Sequence, residues 1–318
     1  MKEKYRRFCR EEALVPIFCM DWWLDAIAGE NWGVCLIERN GRVIASLPYV
    51  YRRAYGMRYF YQPPLTQCLG PWIRELDAKE ATKLANEIEC LEGLMSQLPE
   101  FASFAQNWHF SQTNWLPFYW NGFRQSVKYT YRLEATQTPD SVWQCMRPNI
   151  RREIRKARQR EKLTIVCDRR FDDFWKLNKH VFERQGLRTP YPKALVEAVE
   201  GKASQHACRR MFFAVDNKGC LHAAAFIVWD AHTAYYLMGG VDPLHRTSGA
   251  MSLCLWEAIK YSLSIGRNFD FEGSMIRSVE RFFRGFGAVQ VPYYRVWRGR
   301  SVRQKFNLML RSMKRDES

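Results

Sequence analysis

Residues 235–259 read YYLMGGVDPLHRTSGAMSLCLWEAI, and the fold turns on them. An aromatic, apolar run ends in Gly239-Gly240. A polar loop then carries Arg246, Ser248 and Gly249, and apolar residues resume at about Ala250. That order reads as strand, loop and helix. The helix, expected from about Met251 to Ser264, is apolar nearly all round and so should be buried, and Gly266 is placed to end it. A helix N-terminus offers backbone N–H groups without intrahelical partners and the positive end of a dipole, which suits a phosphate. Gly249 and Ala250 would let a pyrophosphate approach the backbone. Gly239, Gly240, Arg246, Ser248, Gly249 and Ala250 are therefore the expected donor-binding residues. The plainer alternative is a tight turn that only starts a core helix.

Upstream, Met211 to Trp229 (MFFAVDNKGCLHAAAFIVW) reads as a hairpin turning at Asn217-Lys218-Gly219. Downstream, NFDFEGS (268–274) reads as a strand, in which alternate residues share a face. Asp270 and Glu272 should then point one way and Phe269 and Phe271 the other. Adjacent carboxylates repel, which raises the pKa of one and makes a general base. Amine acylation needs such a base, because only the neutral amine attacks an ester or thioester. Otherwise the two acids pair with Arg281 or Arg284 on the next helix, VERFFRGF, and brace the fold. The strand VPYYRVW follows. The first half has the same plan. Leu36 to Tyr51 is a hairpin around Asn40-Gly41, and a helix from Asp77 to Leu98 carries Leu84, Ile88, Leu91 and Met95 at helical spacing. Further strands fall near Trp108–Trp115 and Tyr129–Leu133. The chain thus reads as a duplicated α+β unit, 1–135 and 136–318.

Between the copies lies a basic helical linker, Pro139 to Lys162. Ile150, Ile154 and Ala157 form its apolar stripe, and Arg151, Arg152, Arg155, Lys156 and Arg158 cover the rest. It is either an electrostatic platform for nucleotide phosphates or RNA backbone, or a solvated helix face. The 318 residues hold 49 Lys+Arg against 33 Asp+Glu, a net +16 that favours polyanionic partners. The basic tail from Arg295, with Phe306, Leu308, Met309 and Met313, is either an interfacial helix touching a membrane or a segment packed on the preceding domain. Ten cysteines without CxxC spacing fit free thiols in a reducing cytosol. The charged start lacks an apolar signal core, and the longest apolar stretch, Leu221 to Trp229, is too short to span a bilayer. A cytoplasmic protein, at most resting on a membrane surface, is expected. There is no P-loop, GxGxxG, GxSxG or HExxH, and the histidines lack metal-ligand spacing, so neither a metal nor a permanently bound cofactor is expected. His222 reads as a strand histidine.

Taken together, RREIRKARQREKLTIV, FWKLNKHVFERQG, YYLMGGVDP, LWEAIKYSLSIGRNFDFEGS and VERFFRGFGA resemble the FemAB-related branch of the GNAT N-acyltransferases, over roughly residues 140 to 295. DWWLDAIAG, GRVIASLPY and QPPLTQCLGPW of the first half match only in style. The resemblance implies a tandem GNAT-like α+β fold with two mixed sheets flanked by helices. It also implies transfer of an acyl or aminoacyl group to an amine. The donor would be acyl-CoA, acyl carrier protein or aminoacyl-tRNA, and the acceptor a small amine, a lipid or a peptidoglycan precursor. Arg246 and Gly249 carry over to the cofactor loop, although Met251 stands where a second Gly or Ala is usual. Asp270 and Glu272 carry over to the cleft as catalytic residues, with Arg152, Arg281 and Arg284 as substrate-binding cations. The long coiled-coil arm of the bridge-forming enzymes has no counterpart. Two alternatives stand beside acyl-CoA transfer: an aminoacyl-tRNA-dependent transferase acting on a cell-wall or lipid precursor, and a degenerate scaffold that binds RNA or membrane.

Overall fold

The turn residues do what their chemistry demands. In the computed structural model, which describes residues 1–183 and 186–299, Asn40 and Gly41 both take positive φ, 52° and 74°. That is the backbone of a two-residue hairpin turn matched to the twist of its strands. Helices α1 (Lys2–Glu11) and α2 (Asp21–Ala28) precede the two strands it joins, β1 (Trp32–Arg39) and β2 (Arg42–Ala54). Next come β3 (Met57–Phe60), the short β4 (Trp72–Ile73), α3 (Glu80–Ser96), β5 (Ser103–Asn107), α4 (Leu116–Trp120) and β6 (Arg124–Leu133). Then follow α5 (Pro139–Cys145), α6 (Pro148–Arg155), β7 (Thr164–Cys167), α7 (Phe171–Glu183), α8 (Lys193–Gln205), β8 (Arg209–Val215) and β9 (Leu221–Trp229). The last elements are β10 (Thr233–Val241), α9 (Ala250–Ser264), β11 (Asn268–Asp270), α10 (Arg277–Arg284) and β12 (Val289–Gly299).

These elements form two compact units. The first holds residues 1–128 together with 293–299, and the second holds 129–292. In the first, β1, β2 and β3 are successive antiparallel neighbours. Helix α3 carries the chain across so that β5 runs parallel to β3. The last strand of this sheet comes from the far end of the chain: Arg295 to Gly299 of β12 pair antiparallel with Asn107 to Ser103. Val296 is fully buried among Phe104, Trp108, Phe118 and Phe123. The expected stripe on α3 is partly displaced, because Cys90, Leu91 and Leu94 face the core while Leu84 is exposed. The strand expected near 108–115 is a turn instead. Gln112 N–H donates to the carbonyl of His109, whose Nδ1 lies 2.6 Å from Ser111 Oγ.

The second unit repeats the plan. The hairpin β8–β9, turning through Asp216 and Gly219, is followed by β10, then by α9, then by β11 running parallel to β10. Its strand order is β7-β8-β9-β10-β11-β6, and every neighbouring pair but β10–β11 is antiparallel. Each unit is thus a mixed sheet with helices against it, the expected duplicated α+β architecture. Helix α9 is buried on nearly every side, as its all-apolar sequence requires. The basic linker is not one helix. Thr138 and Ser141 form a capping box that starts α5, and Met146 is extended ahead of the break at Pro148, where α6 starts anew. Residues 156–160 then make a π-helical turn. Ile150, Ile154 and Ala157 are buried as their spacing predicts. Phe306, Leu308, Met309 and Met313 of the basic tail lie outside the described residues.

Candidate active site

Strands β10 and β11 pair over only three positions, Thr233↔Asn268, Ala234↔Phe269 and Tyr235↔Asp270. β10 then continues alone against β9 as far as Val241, so a gap opens between the two parallel strands beyond Asp270. The ladder with β9 is irregular between Tyr236 and Met238. A bulge shifts the side-chain alternation by one. As a result Tyr236 and Gly239, three apart, both face α9: a Cβ on Gly239 would lie 2.2 Å from Tyr236 Oη and 3.0 Å from Met251 Cε. Gly240 faces the other way, against the backbone of Leu177 and Asn178 in α7, which a Cβ there would meet at 2.2 Å. Asn178 Nδ2 donates to the Gly239 carbonyl at 2.8 Å, and Tyr191 Oη donates to Asn178 Oδ1 at 3.1 Å.

The two carboxylates separate into different roles. Asp270 is fully buried. It accepts Thr130 Oγ1 at 2.5 Å and the Glu272 N–H at 2.7 Å, and its Oδ2 lies 3.7 Å from Arg132 Nε. It is a bracing group, and its cation is Arg132 on β6 rather than Arg281 or Arg284. The expected strand alternation stops at Asp270, where β11 ends. Glu272 has φ +58° and Gly273 φ +63°. A Cβ at Gly273 would strike the Tyr129 carbonyl at 2.0 Å, so the left-handed turn is pressed against β6. A non-glycine residue held in that region stores of order 1–3 kcal/mol and persists only where its surroundings impose it. Glu272 Oε1 is shut off from solvent and accepts no hydrogen bond among the described residues. Burial, and secondarily the charge of Asp270, pushes the Glu272 carboxyl well above the usual range. Burial likewise raises the Tyr236 hydroxyl, on which Tyr191 and Glu272 also act, and takes Tyr191 up to about 12. Each of the three thus keeps its proton to higher pH than a free side chain would. Beside Tyr191, Lys179, Glu183, Leu187, Arg188 and Thr189 help to line an open cavity of about 460 Å³.

At the expected phosphate cradle the backbone is covered by another helix. Ser248, Gly249 and Ala250 are buried, whereas Pro243, Leu244, Arg246 and Thr247 of the loop are exposed. Gly249 has φ +78°, and a Cβ there would meet the Glu153 carbonyl at 2.2 Å and its Oε2 at 3.2 Å. Ser248 Oγ caps the Ala250 N–H at 3.3 Å, and Lys156 Nζ donates to the Thr247 carbonyl. Helix α6 thus lies over the start of α9 and sets a carboxylate of this chain beside it. Arg152 is exposed on α6 and Arg281 on α10, while Arg284 is held by Glu280, Nε to Oε1 at 2.7 Å, which Tyr131 Oη also reaches at 2.7 Å. His222 is indeed a strand histidine on β9, stacked on His245 at 3.7 Å.

Sequence reasoning did not find Tyr236, Asn178, Tyr191 or Glu153. A signal existed only for Asn178, a polar residue four places from Phe174 on the buried stripe of α7.

The strand–loop–helix of β10 and α9, splayed from a parallel neighbour, is the arrangement of the GNAT acyltransferases, and residues 145–284 match that family's acetyltransferase (GNAT) domain. This stretch of the second half is similar to a GNAT acetyltransferase domain. Over nearly the whole chain the fold is similar to that of FemX, at a TM-score of 0.68 and 12% identity, covering 92% of this chain and 95% of that one. It is similar also to L-PGS from Bacillus licheniformis, at 0.57 and 12%, covering 97% and 96%. A third likeness is to the C-terminal domain of a putative lysylphosphatidylglycerol synthetase from Agrobacterium fabrum, at 0.55 and 10%, covering 97% and 96%. At these identities the likeness is one of fold. No curated protein matches this chain.

Proposed function

We propose that the protein moves an acyl or aminoacyl group from an activated ester or thioester to an amine in the gap between β10 and β11, with Glu272 taking the proton. The observation that carries this is the Glu272 carboxylate, fixed in a left-handed turn with Oε1 desolvated and unbonded. Burial raises the pKa of a carboxylate so placed and makes it a stronger base than a free one. The amine attacks the carbonyl carbon and a tetrahedral oxyanion forms. Glu272 accepts the proton of the attacking nitrogen, and the carrier's oxygen or sulfur leaves with the bonding electron pair. Glu272 then passes that proton to the leaving oxygen or sulfur. Asp270 and Asn178 hold the two walls in register.

For the donor, the burial of Ser248, Gly249 and Ala250 under α6 favours a carrier whose phosphates meet the exposed cations of α6, such as Arg152 and Arg155, over coenzyme A bound at the start of α9. Aminoacyl-tRNA is such a carrier, and the fold shared with a putative lysylphosphatidylglycerol synthetase is in keeping with it. Thermal-shift titration tests the choice. Deacylated tRNA should stabilise the protein, with an affinity that falls steeply as salt rises because phosphate neutralisation releases counterions, and coenzyme A should leave Tm unchanged. Stabilisation by coenzyme A and none by tRNA would restore the acyl-CoA reading. With either donor, Glu272→Gln should cut turnover by about 10²-fold or more, and a fully active variant would remove Glu272 from the mechanism.

A further inference from the structure

The end of the second unit where the gap opens is ringed by three loops, and each sets an exposed apolar side chain beside an arginine. Two of them leave the C-terminal ends of the parallel strands β10 and β11, so they emerge on the same side. The third follows α7, which runs toward that same end. Its Phe174 stacks on Phe226, the partner of Met238, and one turn later Asn178 bonds the Gly239 carbonyl. After α7 comes Leu187, 55% exposed, next to Arg188; after β10, Leu244, 88% exposed, two residues before Arg246; after β11, Met275 and Ile276, 64% and 65% exposed, before Arg277. All three arginines are exposed. No acidic residue occurs in 186–192, 243–249 or 273–279.

Exposed apolar side chains gathered on one face of a protein mark an interaction site. Their chemistry selects the partner. The protruding residues are aliphatic, Leu, Met and Ile, where a nucleic acid would want aromatic planes for its bases. Aliphatic tips interleaved with cations are what enters the headgroup layer of an anionic bilayer, the tips reaching the acyl boundary and the arginines the phosphates. We infer that this rim, formed by Leu187-Arg188, Leu244-Arg246 and Met275-Ile276-Arg277, docks the protein on an anionic lipid surface with the Glu272 gap facing the membrane. No helix among the described residues is long and apolar enough to cross a bilayer, so the attachment is peripheral. The inference does not depend on the acyl-transfer reading, because the rim is defined by exposure and charge alone.

Cosedimentation of the full chain with vesicles tests it. The protein should pellet with vesicles of phosphatidylglycerol and phosphatidylcholine and stay in the supernatant with phosphatidylcholine alone. The double variant Leu244→Ser/Ile276→Ser should bind the anionic vesicles about tenfold or more weakly, and Arg246→Gln/Arg277→Gln by a similar factor at low salt. All four side chains are exposed, Arg277 at the first position of α10 and the others in loops, so Tm should stay near that of the unsubstituted protein. Absence of binding to anionic vesicles at low salt would overturn the inference. So would binding that neither pair of substitutions weakens, which would assign the attachment to another surface such as the basic tail. Loss of tRNA affinity in the arginine pair with vesicle affinity unchanged would give the face to RNA instead.

Discussion

Replacing Gly249 by alanine puts the closure of the α9 start to a direct test. Two costs add. The residue has φ +78°, where an L side chain is strained by about 1 kcal/mol. The new methyl would also sit 2.2 Å from the Glu153 carbonyl and 2.9 Å from its carbon, both backbone atoms of a packed helix that cannot swing aside. Overpacking of that kind costs about 1–3 kcal/mol. The sum is about 2–4 kcal/mol, which in a unit of this size lowers Tm by about 4–16 °C. The internal control is Gly266→Ala at the other end of the same helix. Gly266 has a comparable φ of +68° and nothing within 4 Å of the added methyl, so it should show the conformational cost alone. Thermal and urea unfolding of both variants, by circular dichroism, measure the difference. Equal losses in the two would mean that Glu153 does not abut Gly249. The start of α9 would then be open, and the argument against coenzyme A phosphates in that cradle would fall with it.

Two other changes read the carboxylates separately. Glu272 has its carboxyl raised above the ordinary 4.5, so the folded protein binds a proton that the unfolded chain releases. The stability tied to that proton is present below about 4.5 and is lost as pH rises toward the raised value, with a slope of at most about 1.4 kcal/mol per pH unit. Glu272→Gln should remove that slope, matching the parent near pH 4.5 and exceeding it in Tm at neutral pH while turnover collapses; an unchanged pH profile would show that the carboxyl ionises freely. Asp270→Ala should act on the fold instead. It leaves Arg132, whose side chain is 6% exposed, buried without its carboxylate, and loss of one partner of such a pair costs about 3–5 kcal/mol. A drop under 1 kcal/mol in urea unfolding would mean that the pair does not brace β6 against β11.

The sequence revealed both hairpins, the crossover helix α9 and the repetition of the plan, because turn chemistry and apolar periodicity are local signals. It revealed the NFDFEGS segment as chemically important for the same reason. It did not show where the strand ends. Simple alternation assumes a strand that continues, and β11 stops at Asp270 because the left-handed pair Glu272-Gly273 is forced by the Tyr129 carbonyl from a strand 140 residues upstream in the chain, the separation of Thr130 from Asp270. The neighbour of the glycine loop was hidden for a related reason. Gly249 has the φ of a phosphate-loop glycine, but its lack of a side chain serves contact with α6, a neighbour that no local window contains. Tyr236 was invisible because a bulge in the β9–β10 ladder decides its direction, and bulges leave no signature in the residues YYLMGG.

The strand that closes the first sheet is made last. During synthesis from the N-terminus, residues 1–128 are complete while β5 still lacks its neighbour and the place of Val296 beside Phe104 and Phe118 is empty. At ribosomal speeds of about 5–20 residues per second, the missing strand follows roughly 9–34 s later. For that interval the nascent first half carries an unpaired strand edge and an unsealed aromatic core, the condition under which chains pair with the wrong partner. The chain is therefore a poor candidate for cutting at residue 135. A first half expressed alone keeps that open edge for good, and supplying residues 289–299 as a separate peptide would be the way to seal it.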